Sequence, residues 1–160
     1  MRALVLVLAI GATGCYEPDV GPAFSVAPDA ATDPDGGTGD GGNEAVTGCD
    51  NRDSNPAVTT SLSLNVRPLV FKTPGGCMPC HLGRATSGFD QSSYESLRRG
   101  GLISGTQIIV PGDPCNSILF QKIGRTPPFG SRMPYNGPPY FSAEERMIVH
   151  DWIAEGALNN

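Results

Sequence analysis

Cys77-Met78-Pro79-Cys80-His81 is the stretch of this 160-residue chain whose residue types and spacing amount to chemistry. Two thiols two residues apart, followed at once by an imidazole, form the CxxCH pattern to which a c-type haem is attached. The spacing has a physical reason. Thiols so separated reach the two vinyl groups of one porphyrin, and the adjacent imidazole then lies under the iron as its proximal ligand. Two other chemistries use a CxxC pair. Half of a zinc knuckle would need a second Cys or His pair, yet Cys15, Cys49, Cys115 and His150 all stand singly. A dithiol redox pair would want a βαβ setting, and no such alternation is legible here.

An iron that passes electrons without binding substrate needs a sixth ligand opposite His81. Met78, Met133, Met147 and His150 are the candidates. Met78 lies inside the attachment loop and cannot turn to the other face of the ring. Met147 and His150 fall on the last expected helix, more than about 100° from the centre of its apolar stripe, and read as solvent-facing. Met133 stands in Arg132-Met133-Pro134, 52 residues after His81. A proline-stiffened backbone there can present a soft thioether to iron. A methionine filling a gap in the core is the plain alternative.

Four helices are predicted to position these groups. Asn65 caps the first, which runs through Val66, Leu69, Val70 and Phe71 with Pro68 in its first turn. The second begins near Ser92, carries Tyr94 and Leu97, and stops at Gly100-Gly101. The third takes Asp113 as cap and Pro114 as first residue, aligns Ile118, Leu119 and Ile123, and ends at Gly124. The fourth opens with the capping box Ser142-Ala143-Glu144-Glu145 and turns Ile148, Val149, Trp152 and Ile153 to one side. Between the last two, Arg125 to Phe141 holds five prolines and reads as a fixed, irregular loop. Strand-like alternation never extends beyond Thr106 to Val110. The expected fold is mainly α, a small domain over 49–160 of about four short helices wrapped round one haem.

The segments before that domain have different chemistry. Met1-Arg2 precedes the apolar run Ala3 to Ala12, the form of a secretion signal over 1–14. That run is too short to span a membrane. It ends in Ala12-Thr13-Gly14-Cys15, which resembles the lipobox of bacterial lipoprotein precursors, with Ala12 where Leu is usual. By that resemblance Cys15 is diacylated through its sulfur and becomes the mature N-terminus. Two or three acyl chains anchor stably where one would not. Ordinary cleavage nearby is the alternative.

Residues 15–48 hold five Asp, four Pro and seven Gly, with no apolar period of 2 or 3.6. Such a stretch cannot bury enough surface to offset its ordering entropy and reads as a disordered acidic tether. Residues 16–55 carry nine acids and one base, whereas residues 56–160 carry seven acids and nine bases. The formal net charge of −5 argues against a nucleic-acid partner, which would need a basic face. Of five cysteines, one for lipid and two for haem leave Cys49 and Cys115. In an oxidising compartment two leftovers suggest one disulfide, and a free pair is the alternative.

From about Val66 to Ala157 the chain resembles the class I cytochrome c family, specifically its planctomycete-type branch. The matching pieces are Val66-Arg67-Pro68-Leu69, Cys77-Met78-Pro79-Cys80-His81, Ser87-Gly88-Phe89, Tyr94 and Gly100-Gly101. Ile109-Val110-Pro111-Gly112-Asp113-Pro114, Ser117-Ile118-Leu119, Arg132-Met133-Pro134, Trp152-Ile153 and Gly156-Ala157 follow in order. Leu82 stands where the family usually has glycine after its histidine, and Cys115 is not a family feature. The resemblance implies one covalent haem c on Cys77 and Cys80, iron held by His81 and Met133, and one-electron transfer. It implies a carrier rather than an enzyme. It also implies that the carbonyl of Pro111 accepts the second N–H of His81 and fixes its tautomer. Arg132 is a candidate partner for a haem propionate, and Trp152 reads as core.

Together these readings describe a lipid-anchored cytochrome outside the cytoplasm, facing the periplasm or the cell surface and serving redox partner proteins. The alternatives are a peroxidase-like haem enzyme or ligand sensor with a labile sixth position, and a haem subunit of a larger oxidoreductase. A distal acid or base for such an enzyme would have to come from Arg125 or Arg132. Cys15→Ala is expected to move the protein from the membrane pellet to the soluble exported fraction, read by fractionation and immunoblot.

Overall fold

The structure, a computed structural model, describes residues 49–72, 76–83, 86–135 and 137–160. Cys15, the signal and the tether lie outside the described residues. All regular structure among those described is helical, and no helix there is long and apolar enough to cross a membrane.

Helix α1 (Arg67–Phe71) continues a π-helical turn over Leu62–Val66. Its cap is Ser61, whose Oγ accepts the N–H of Leu64, and not Asn65 as the sequence predicts. Asn65 sits inside the turn, its Oδ1 occupied by the N–H of Ser61 at 2.8 Å. Helix α2 (Met78–His81) carries the CxxCH motif, with Cys77 at its N-cap. Helix α3 (Tyr94–Arg99) starts from a capping box made by Ser93 and Ser96. It stops at Gly100, where φ is 73° and a Cβ would strike the carbonyl of Gly105.

The expected third helix is two pieces, a 3-10 turn over Pro114–Asn116 and helix α4 (Ile118–Ile123). Ser117 divides them with extended φ/ψ of −81° and 117°. Its buried hydroxyl donates to the carbonyl of Asp113 at 2.9 Å and accepts the N–H of Val110 at 2.8 Å. A serine that bonds backbone on both sides competes with helix continuation. Helix α5 (Ala143–Ala154) forms the expected capping box, with Ser142 N–H to Glu145 Oε2 at 2.9 Å and Glu145 N–H to Ser142 Oγ at 3.2 Å.

The core is built on α5. Trp152, Ile153 and Ala157 are fully buried against Leu62 and Val66, Leu97 of α3, and Phe120 and Ile123 of α4. The indole N–H of Trp152 donates to the carbonyl of Leu158 at 2.9 Å, so Trp152 is core. Met147 is 37 % exposed, but His150 is 4 % exposed, against its expected solvent-facing place.

The cause of that burial is a strap of chain, residues 49–63, laid along the far side of α5. Cys49 and Cys115 are bonded, with Cα atoms 5.7 Å apart. Nε2 of His150 meets the carbonyl of Asp50 at 2.6 Å, and Nδ1 meets Asp151 Oδ1 at 2.9 Å. Ser54 Oγ donates to the Asp151 carboxylate at 2.6 Å, and Thr60 N–H reaches Glu155 at 2.8 Å. Burial pushes the Asp151 carboxyl up, yet hydrogen bonds from Ser54 and His150 outweigh it and hold it below its ordinary value.

The Cys49–Cys115 bond closes a loop of 66 residues in the unfolded chain. Replacing both cysteines with serine is expected to lower the unfolding free energy by about 2 to 4 kcal/mol. Denaturant unfolding under non-reducing conditions measures it.

Candidate functional site

The CxxCH motif is placed by backbone bonds on both sides of it. Cys77 N–H donates to the carbonyl of Val70, at the end of α1, at 2.8 Å. Gly76 permits that approach, because a Cβ there would collide with the carbonyls of Val70 and Lys72. One helical turn then brings His81 N–H back to the Cys77 carbonyl at 3.0 Å. On the other side, His81 is held at two points. Its carbonyl accepts the N–H of Gln91 at 2.7 Å, and its Nδ1 lies 3.1 Å from the carbonyl of Phe89.

A carbonyl can only accept, so Nδ1 carries the proton and Nε2 the lone pair that a metal takes. The carbonyl that does this belongs to Phe89. Pro111, expected in that role, lies exposed in a turn away from the cavity that His81 lines. The contact with Phe89 is local, eight residues along the chain, and its ring also packs on that of His81 at 5.2 Å between centroids.

Cys77, Cys80 and His81 form one wall of an apolar cavity of about 1020 Å³, counted with its open mouth. Ile118, Leu119 and Ile123 of α4 form another wall, and Met133 enters from the proline-rich loop. The structure thus brings four of the expected site residues to one cavity across more than fifty residues of chain. Met133 is partly buried, and its N–H donates to the carbonyl of Lys122 at 2.8 Å. Ile103 and Tyr135 line the cavity and are 63 % and 41 % exposed, which marks its open side.

Cys77 is a free thiol, and burial pushes its pKa up. Cys80 is disulfide-bonded, so a thioether at Cys80 requires that bond to be reduced first. Arg132 stacks its guanidinium over the ring of Tyr140 at 4.1 Å. His150 has both ring nitrogens against oxygens of the strap side and does not line the cavity.

Two polar residues of the cavity escaped the sequence reading. Gln91 is 6 % exposed, and its buried Nε2 has no hydrogen-bond partner. Nothing in its sequence context marks it. Lys122 is 8 % exposed and was legible in principle, since a cation at i+4 from Ile118 interrupts the apolar stripe of α4.

The residues present fit a covalently attached porphyrin. The cavity is apolar, both cysteines share a wall with the imidazole, and a soft thioether enters from a separate loop. A four-ligand zinc site fits less well. Among the described residues no group of three or more His, Cys, Asp or Glu is arranged to hold a metal ion. No family model, no curated protein and no solved structure matches the chain.

A buried amide donor without a partner destabilises the chain that carries it. Gln91→Leu, of similar volume, is therefore expected to stabilise the haem-free chain by about 1 kcal/mol. The change in denaturant midpoint checks it.

Proposed function

We propose that the chain is a monohaem c-type cytochrome that carries single electrons outside the cytoplasm, tethered to a membrane through lipid on Cys15. One observation carries the reading: Cys77, Cys80, His81 and Met133 all line the same apolar cavity.

Each side chain has a distinct part. Cys77 and Cys80 would hold the group covalently, and His81 would offer Nε2 to its iron. The Phe89 carbonyl, by accepting the Nδ1 proton, orients the imidazole and raises its basicity. Met133 would supply a soft thioether, which favours the ferrous ion. Ile118, Leu119 and Ile123 give the cavity an apolar wall, which would further disfavour the more charged oxidised state. Haem c, when bound, supplies the one-electron couple.

A carrier needs access to redox partners, and the open side of the cavity beside Ile103 and Tyr135 would give it. The acidic segment before the domain, with its formal excess of acids, would separate it from the membrane surface. Among the described residues, neither arginine considered for a distal role lines the cavity. Arg132 is engaged with Tyr140, and Arg125 does not line the cavity.

Haem in the wild-type protein is expected to resist acid–acetone extraction, and Cys77→Ala with Cys80→Ala is expected to release it. One zinc per chain and no haem in the wild type would defeat the reading. The oxidised protein is also expected to show the weak near-infrared thioether-to-iron charge-transfer band. Met133→Ala abolishes that band, lowers the potential and yields iron that binds carbon monoxide readily when reduced, while Met147→Ala changes none of these.

A further inference from the structure

Lys122 is the polar residue whose placement in this cavity has no evident purpose in a bare apolar wall. Lysines are almost never buried unless paired, because the ammonium loses its hydration. Lys122 is 8 % exposed, so its donors need acceptors inside the protein. Its Nζ donates to the carbonyl of Phe129 at 2.8 Å and to that of Ser131 at 2.7 Å, and sits 4.8 Å from the centroid of the Phe129 ring. Its own carbonyl accepts the N–H of Met133 at 2.8 Å. One residue of α4 thus grips the loop at three positions, 129, 131 and 133, spaced two apart.

From this geometry we infer that Lys122 is the positioning residue for Met133. It fixes the backbone of the loop so that the thioether is held at the cavity. The inference rests on the reading of Met133 as an iron ligand. A ligand delivered by a loop stays in place only if the loop's backbone is itself fixed. Prolines restrict φ but tie the loop to nothing. The ties come from Lys122, whose charge-assisted bonds to carbonyls are stronger than neutral ones. Its backbone belongs to a helix that also supplies Ile118, Leu119 and Ile123 to the cavity wall, so one rigid element sets both the wall and the ligand.

Two measurements on the full-length, haem-loaded protein test this, with Lys122→Met and Lys122→Arg compared with wild type. Lys122→Met keeps the side-chain length and removes the donors, whereas Lys122→Arg restores donors and charge. Amide hydrogen exchange at Met133 is expected to quicken about tenfold in Lys122→Met. Exchange in α5 should stay unchanged, which separates loop release from global unfolding. The charge-transfer band should weaken and disappear at a lower temperature in Lys122→Met, and Lys122→Arg should recover most of it. A band present in wild type and unaltered in Lys122→Met overturns this inference alone. Wild-type exchange at Met133 retained in Lys122→Met does the same. A wild type without the band, its near-infrared spectrum unchanged by Met133→Ala, overturns the ligand reading and this inference together.

Discussion

His81 is held at two points by one short stretch of chain, and the candidate site depends on that clamp. The Gln91 N–H secures its backbone and the Phe89 carbonyl secures its ring. Helix α2 has four residues, too few to be stable alone, since helix nucleation costs more than so short a helix returns. Its conformation must come from outside. Val70 holds it at the start, residues 89–91 hold it at the end, and the imidazole is left with one tautomer and one orientation. A ring free to rotate would offer a metal a less basic and less directed nitrogen.

That clamp has to face an open cavity, which places a second demand on the fold. Small helical domains collapse on apolar space unless rigid elements keep the walls apart. Helix α5 anchors the core beside those walls, because Trp152 and Ile153 are wholly buried and the strap ties its other side. The strap works through polar chemistry. A disulfide, a histidine, two carboxylates and two hydroxyl-bearing residues fasten residues 49–63 to α5 and to the 3-10 turn over Pro114–Asn116. The side of α5 toward the core and the side beneath the strap are therefore buried by different physics. Apolar contact closes one and satisfied hydrogen bonds close the other.

This difference explains where sequence reading succeeded and where it failed. The Ser142–Glu145 capping box and the burial of Val149, Trp152 and Ile153 were legible, because both are local and periodic. His150 was misread as exposed. Its cover comes from Asp50, 100 residues away, and a hydrophobic pattern does not register polar cover. The division of the third helix at Ser117 was missed for a related reason. Asp113 and Pro114 are genuine start signals, but a serine that bonds Val110 looks in sequence like an ordinary helical residue. Pro111 was assigned by resemblance, and the carbonyl that reaches His81 is Phe89 because it is nearer along the chain and turns inward.

Residue identity and spacing alone determined the chemistry available: two thiols and an imidazole in a five-residue turn, a methionine in a stiff loop, and two further cysteines left in the domain. They also determined that the domain is helical, because apolar period, caps and breakers act within a few residues of one another. Only the tertiary structure decided which of these groups meet. It brought Met133 to the cavity of His81, chose the Phe89 carbonyl over that of Pro111, buried His150 under a strap, and set Lys122 as the point where helix and loop join. The reason is the range of the interactions. Caps and periodicity are settled within one helical turn, whereas a carbonyl, an ammonium or a carboxylate takes whichever partner the packed chain brings within about 3 Å.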